Sequence, residues 1–168
     1  VDTCLGEGRI QVVDVPSWGH TVVGVYTPNA RRDFARLDER VGCWDPRFWN
    51  FMSRLGARRA DCPLVLTIGD FNATSGRAAS QLHPAFWSRA EQTPSLTIKE
   101  CNSLIASSKD VGYVLRSPSS YSLLTGRGPC GFTLDHVGVP LNYASEIGVE
   151  VSGYQARDHQ PLRIKVPL

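Results

Sequence analysis

Leu64-Val65-Leu66-Thr67-Ile68 is an apolar run of strand length, set between Pro63 and Gly69. A run this short, bounded by breakers and rich in branched side chains, fits a strand buried on both faces. It commits the chain to a sheet with Pro63–Ile68 at its centre. The run ends in Gly69-Asp70-Phe71-Asn72, a carboxylate and a carboxamide two residues apart. Side chains at i and i+2 of an extended segment point to one side. Asp70 and Asn72 are therefore expected to face a common site.

Other segments supply partners for that strand. Arg9–Val15 and Thr21–Tyr26 are valine-rich, and Pro16-Ser17-Trp18-Gly19 between them supplies turn residues, so a β-hairpin is expected. Asp33 is expected to cap a short helix through Val41. Asp45 is a good N-cap and Pro46 suits the first helical position. Phe48, Phe51, Met52 and Leu55 then form one apolar stripe, with Gly56 as the expected end. Trp44, Phe48, Phe51 and Met52 read as core. Ala73–Ser95 is polar and irregular. Thr97 and Glu100 form a capping box opening a helix to about Ser107. Tyr121–Leu124, Thr133–Val139, Ile147–Val151 and Leu162–Val166 read as further strands. Strands, few helices and much loop point to a layered α/β or α+β domain spanning residues 1–168.

The balance of charge narrows the function. A net charge of +2 over 168 residues is not that of a polybasic nucleic-acid tail. The arginines nevertheless cluster, at Arg31, Arg32, Arg36 and Arg40 and again at Arg54, Arg58 and Arg59, as a phosphate-binding face would require. Cys4, Cys43, Cys62, Cys101 and Cys130 are odd in number and form no CxxC, which argues against a zinc site and a disulfide framework. A reducing intracellular compartment, nucleus or mitochondrion, is expected. The apolar runs are too short to cross a membrane as helices. The opening at Val1, almost directly on a strand, is expected of a processed product or a fragment.

Asp158-His159 lies just before the run Leu162-Arg163-Ile164-Lys165-Val166. An acid, an amide and an Asp-His pair at strand ends suit metal-assisted phosphoester chemistry. Each has a plainer reading: Asp70 and Asn72 as an Asx turn, His159 as a satisfied structural histidine, the arginines as a solvated helix face.

Taken in order, Glu7-Gly8-Arg9, Tyr26-Thr27-Pro28-Asn29-Ala30 with Arg32, Arg36-Leu37, Trp44-Asp45 with Phe48 and Phe51, Gly69-Asp70-Phe71-Asn72, Thr97 with Glu100, Leu134-Asp135, and Asp158-His159 with Pro161-Leu162 resemble the endonuclease/exonuclease/phosphatase superfamily. Within it they are most similar to the exonuclease III-type apurinic/apyrimidinic endonucleases. The match begins partway into the family pattern and leaves out its N-terminal third, which holds the principal metal-binding glutamate. Three positions depart from the pattern. Tyr121-Ser122-Leu123-Leu124-Thr125-Gly126 replaces a tryptophan-rich lesion-recognition segment, His136 stands where tyrosine is usual, and Arg157 where serine is usual.

The resemblance implies an incomplete four-layered α/β sandwich of the DNase I-like type, its C-terminal two-thirds. It implies a Mg-dependent phosphodiesterase incising DNA at abasic sites in base excision repair, with 3′-exonuclease activity as a second capacity. Asp70 would align or activate the attacking water, Asn72 would donate to phosphate or fix Asp70, and Asp135 would hold His159 in one tautomer beside the scissile phosphate. Tyr26 and Asn29 would contact phosphate, Arg32 the DNA groove, and Phe132 the abasic sugar. Asp158 would be a ligand or an electrostatic neighbour of a Mg or Mn ion, bound weakly or not at all by this chain alone. Partners would be abasic duplex DNA and a protein or larger assembly that covers the missing part, without a membrane. The alternative is an inactive nuclease-like domain serving as a structural subunit of a larger complex, such as a ribonucleoprotein.

Overall fold

The computed structural model describes residues 9–27, 46–59, 64–72, 104–119, 123–124, 131–152 and 158–166. β1 (Ile10–Val15) and β2 (His20–Tyr26) form the expected antiparallel hairpin around a 3-10 turn at Pro16–Trp18. Gly19, at φ 65°, closes that turn with its N–H on the Pro16 carbonyl at 3.0 Å. β3 (Leu64–Asp70) runs parallel to β2. Parallel neighbours need a crossover, and α1 (Pro46–Arg58) lies in it. The helix continues two residues beyond Gly56, its expected end. A glycine costs a helix interior only about 1 kcal/mol. Gly56 sits where an added Cβ would meet Val65 at 3.8 Å, so the helix packs closely on β3 there.

The second described helix, α2, occupies residues 104–110, past the expected end near Ser107. β4 (Tyr113–Arg116) follows directly after Gly112, a strand beyond those expected from the sequence. Four residues without clean alternation carry little strand signal; pairing with Val137–Pro140 makes the strand. β5 (Leu123–Leu124) and β6 (Gly131–Phe132) form a two-residue ladder, of which only the first was expected. β7 (Asp135–Pro140) begins two residues later than expected and ends one later. β8 (Gly148–Val151) and β9 (Leu162–Lys165) pair antiparallel. The helix expected from Asp33, the capping box and all five cysteines lie outside the described residues.

The main sheet has five strands in the order β1-β2-β3-β7-β4, with mixed directions. One face packs Ile10, Val23, Val25 and Val65 against Phe48, Trp49 and Met52 of α1 and Leu104 of α2. The other packs Leu64, Leu66, Val137 and Val139 under the β8–β9 ladder, through Val149, Leu162 and Ile164. Helices, sheet and ladder thus form successive layers. The ladder's outer side is polar, with Glu150 bound to Lys165 at 3.2 Å and an exposed Arg163 beside it.

Tyr113 crosses between strands. Its buried hydroxyl donates to the Val65 carbonyl at 3.1 Å, just beyond the end of the β3–β7 ladder at Thr67. Burial pushes the phenol up to about 12, so it stays a donor at all physiological pH. Tyr113→Phe leaves that carbonyl unsatisfied and is expected to destabilise the domain by about 1–2 kcal/mol in urea titration.

Candidate active site

β3 ends at Asp70. Register places Tyr26 of β2 and Asp135 of β7 directly opposite it. Cross-strand partners share a face. One rung of the sheet therefore carries Tyr26, Asp70 and Asp135 on the side of the β8–β9 ladder. Gly69 makes the rung possible: its φ is 146°, and an added Cβ would lie 2.0 Å from the Val25 carbonyl oxygen. Only a glycine lets β2 and β3 approach this closely.

The opposing layer delivers the histidine. His159 precedes β9 and places Nδ1 3.0 Å from Asp135 Oδ2 and Nε2 3.9 Å from Asp70 Oδ2. The first is a hydrogen bond. The second is too long for one and leaves Nε2 facing the space between imidazole and Asp70. Asp158 is exposed, and its Oδ1 accepts the His159 backbone N–H at 3.2 Å.

Asp70 is held by Asn72. Asp70 Oδ1 accepts the Asn72 backbone N–H at 2.8 Å, and Asn72 Nδ2 lies 3.2 Å from Asp70 Oδ2. Asn72 Nδ2 also donates to the Thr27 carbonyl, and Thr27 N–H donates to the Asp70 carbonyl at 2.9 Å. The two side chains meet, but not by strand alternation as the spacing predicts. Asn72 lies past the strand in the left-handed region, φ 47°. The Asx turn that is the plainer reading of this pair is thus formed, and it brings the carboxamide onto the carboxylate.

Charge follows this geometry. Burial is the main cause that pushes Asp70 up to about 6, with Asp135 and Asp158 adding to it and the Asn72 N–H and His159 opposing. For His159 burial pulls downward, but the charge and hydrogen bond of Asp135, with Asp70 and Asp158 behind them, outweigh it and hold the imidazole above its ordinary value. Near neutrality the site thus pairs an ionisable base with a readily protonated acid.

No protein-family model and no curated protein matches the sequence. Solved structures do. A 3′-5′ exonuclease, NExo, from Neisseria meningitidis superimposes with TM-score 0.64 at 18% identity, over 95% of this chain and 65% of that one. A 3′ phosphatase NExo from Neisseria bound to a product DNA hairpin gives the same values. The endonuclease domain of TRAS1, a telomere-specific non-LTR retrotransposon, gives TM-score 0.57 at 12% identity, over 94% of this chain and 60% of that one. These structures are of the endonuclease/exonuclease/phosphatase superfamily. The fold is DNase I-like.

The chain thus spans 65% of the length of NExo, and its DNase I-like fold is incomplete to that extent. The described residues bring together Asp70, Asn72, Asp135, Asp158 and His159, with Tyr26 on the same rung and 54% exposed. Asn29 and Arg32 lie outside the described residues, as does the side chain of Phe132, whose backbone is in β6. Thr27 and Gly69 stand in the quoted motifs without a role of their own; for Gly69 the signal was a glycine between a buried strand and an acid.

A hard divalent cation takes about six oxygen ligands. Among the described residues no group of three His, Cys, Asp or Glu side chains is disposed to hold a metal ion. Asp70 and Asp135 already bind Asn72 and His159, and Asp158 accepts the His159 N–H. The described donors do not by themselves fit a magnesium site.

Proposed function

We propose that this chain carries the acid–base groups of a nuclease that hydrolyses phosphodiesters in DNA. The observation that supports it most is the convergence of Asp70, Asp135 and His159, from three separate strand ends, around one imidazole. Packing alone does not call for two carboxylates facing one histidine at a rim. Asp70, ionised above about pH 6, would take a proton from the water that attacks phosphorus. Protonated His159, fixed by Asp135 at Nδ1, would present Nε2–H to a phosphoryl oxygen as negative charge builds there. Tyr26 would border the same phosphate.

The finer reading is incision at abasic sites in base excision repair, with Asn29, Arg32 and Phe132 on the DNA and Mg or Mn required. The NExo structure with a DNA hairpin supports DNA as the polymer. No observation favours the structural-subunit alternative. The odd, scattered cysteines support a reducing intracellular setting, nucleus or mitochondrion.

The test uses the native protein, with any partner that co-purifies, on three end-labelled DNAs. One holds an abasic analogue, one has recessed 3′ ends, and one ends in a 3′-phosphate. Each is incubated with magnesium, manganese or chelator. Incision beside the analogue is the expected result. Cleavage of the other two DNAs alone would remove the abasic assignment, and cleavage of none would overturn the nuclease reading.

A further inference from the structure

Behind the two carboxylates, the residues that follow them in sequence meet. Phe71, next to Asp70, and His136, next to Asp135, are both fully buried. Their rings stand edge to face, with centroids 5.5 Å apart and planes at 75°. His136 pairs with Gly69 across the ladder, and Phe71 N–H donates to the Leu134 carbonyl at 2.9 Å. His136 Nδ1 lies 3.0 Å from Ser117 Oγ, one residue beyond β4. The ends of β3, β7 and β4 are thus tied at the level of the site, on the face opposite the imidazole.

Resting on the nuclease reading, we propose that Ser117, His136 and Phe71 form a positioning unit that sets the spacing of Asp70 and Asp135 and so the seat of His159. A buried imidazole is costly unless its nitrogens are satisfied. Ser117 supplies a partner and, being outside β7, fixes the direction of the ring. Phe71 then has one ring orientation to pack against. The backbone of each ring residue is continuous with a site carboxylate, so a repacking of His136 that shifts the end of β7 moves Asp135 relative to Asp70. The hydrogen bond from His159 to Asp135 is sensitive to such a shift, since these bonds weaken steeply with misalignment. A valine or leucine at position 136 would fill space without this direction.

Ser117→Ala tests the unit with little risk to folding, since the residue is at a strand end. Expected are the loss of the downfield Nδ1–H resonance of His159 in the proton NMR spectrum and a roughly tenfold fall in kcat at unchanged KM, as small misplacements produce. Ser117→Thr keeps the hydroxyl and is expected to restore both. His136→Phe, which keeps a ring without nitrogens, is expected to match Ser117→Ala. Tyr113→Phe, a buried change on the same strand, is expected to leave the resonance in place. An unchanged resonance and kcat in Ser117→Ala would overturn the proposal, as would equal loss of the resonance in Tyr113→Phe. The resonance needs no substrate. If the wild-type protein cleaved nothing while Ser117→Ala still moved it, the nuclease reading would fail and the positioning unit would stand.

Discussion

Asp70→Asn is expected to slow phosphodiester cleavage by about 10²- to 10⁴-fold, the range lost with a general base, and to make the protein more stable. The activity loss follows from removing the group that accepts the water's proton. Asparagine keeps the shape and still accepts the Asn72 N–H, so the fold is retained. The stability gain follows from the raised pKa. Unfolded, the carboxyl titrates near 3.8; folded, at about 6. Between those values the folded state binds more protons, so stability falls as pH rises through that window. Asparagine removes the cost of the buried charge, on the order of 1–2 kcal/mol at neutral pH once residual solvent screening is allowed for. His159 acts with the same sign: its contribution is present below the ordinary histidine value and is lost as pH rises through its raised folded value. The rate should therefore climb near pH 6 as Asp70 ionises and decline at higher pH as His159 loses its proton. Thermal melts from pH 4 to 8 and a pH–rate profile read the two effects separately.

Gly69→Ala is expected to cost about 3–5 kcal/mol and to abolish activity, because strain and steric clash coincide there. An added Cβ would meet the Val25 carbonyl oxygen at 2.0 Å, and backbone cannot give way as a side-chain tip can. Its φ of 146° is also one that alanine rarely adopts. Separation of β2 from β3 at this point pulls Tyr26 away from Asp70 and breaks the Thr27–Asn72 link. Gly24→Ala is the contrast: the nearest atom to its Cβ would be 3.9 Å away, in ordinary contact, and the change should stay within about 0.5 kcal/mol. Urea titrations of the two variants compare them directly.

The layered architecture was readable because the signals were local. Two valine-rich segments around Pro16-Ser17-Trp18-Gly19 marked the hairpin, the Phe48–Met52 stripe marked α1, and the unbroken Leu64–Ile68 run marked the central strand. β4 was not readable, since Tyr113–Arg116 is a strand only by virtue of pairing with β7. β6, at two residues, is likewise made by its neighbour. At the candidate site, motif order singles out Asp70, Asp135 and His159, which the fold brings together. Sequence gave no account of how they are held. The left-handed Asn72, the close approach at Gly69 and the His136–Phe71 contact depend on two strands meeting, which no single segment records.

Cleavage of end-labelled DNA by the native protein and by His159→Ala, run side by side under single-turnover conditions, tests the central claim most directly. His159 is half-buried at the rim, so alanine there should leave the circular dichroism spectrum and the melting curve near those of the wild type. The account predicts cleavage by the wild-type protein and a rate at least about 10²-fold lower in the variant. Equal rates in the two proteins would contradict it.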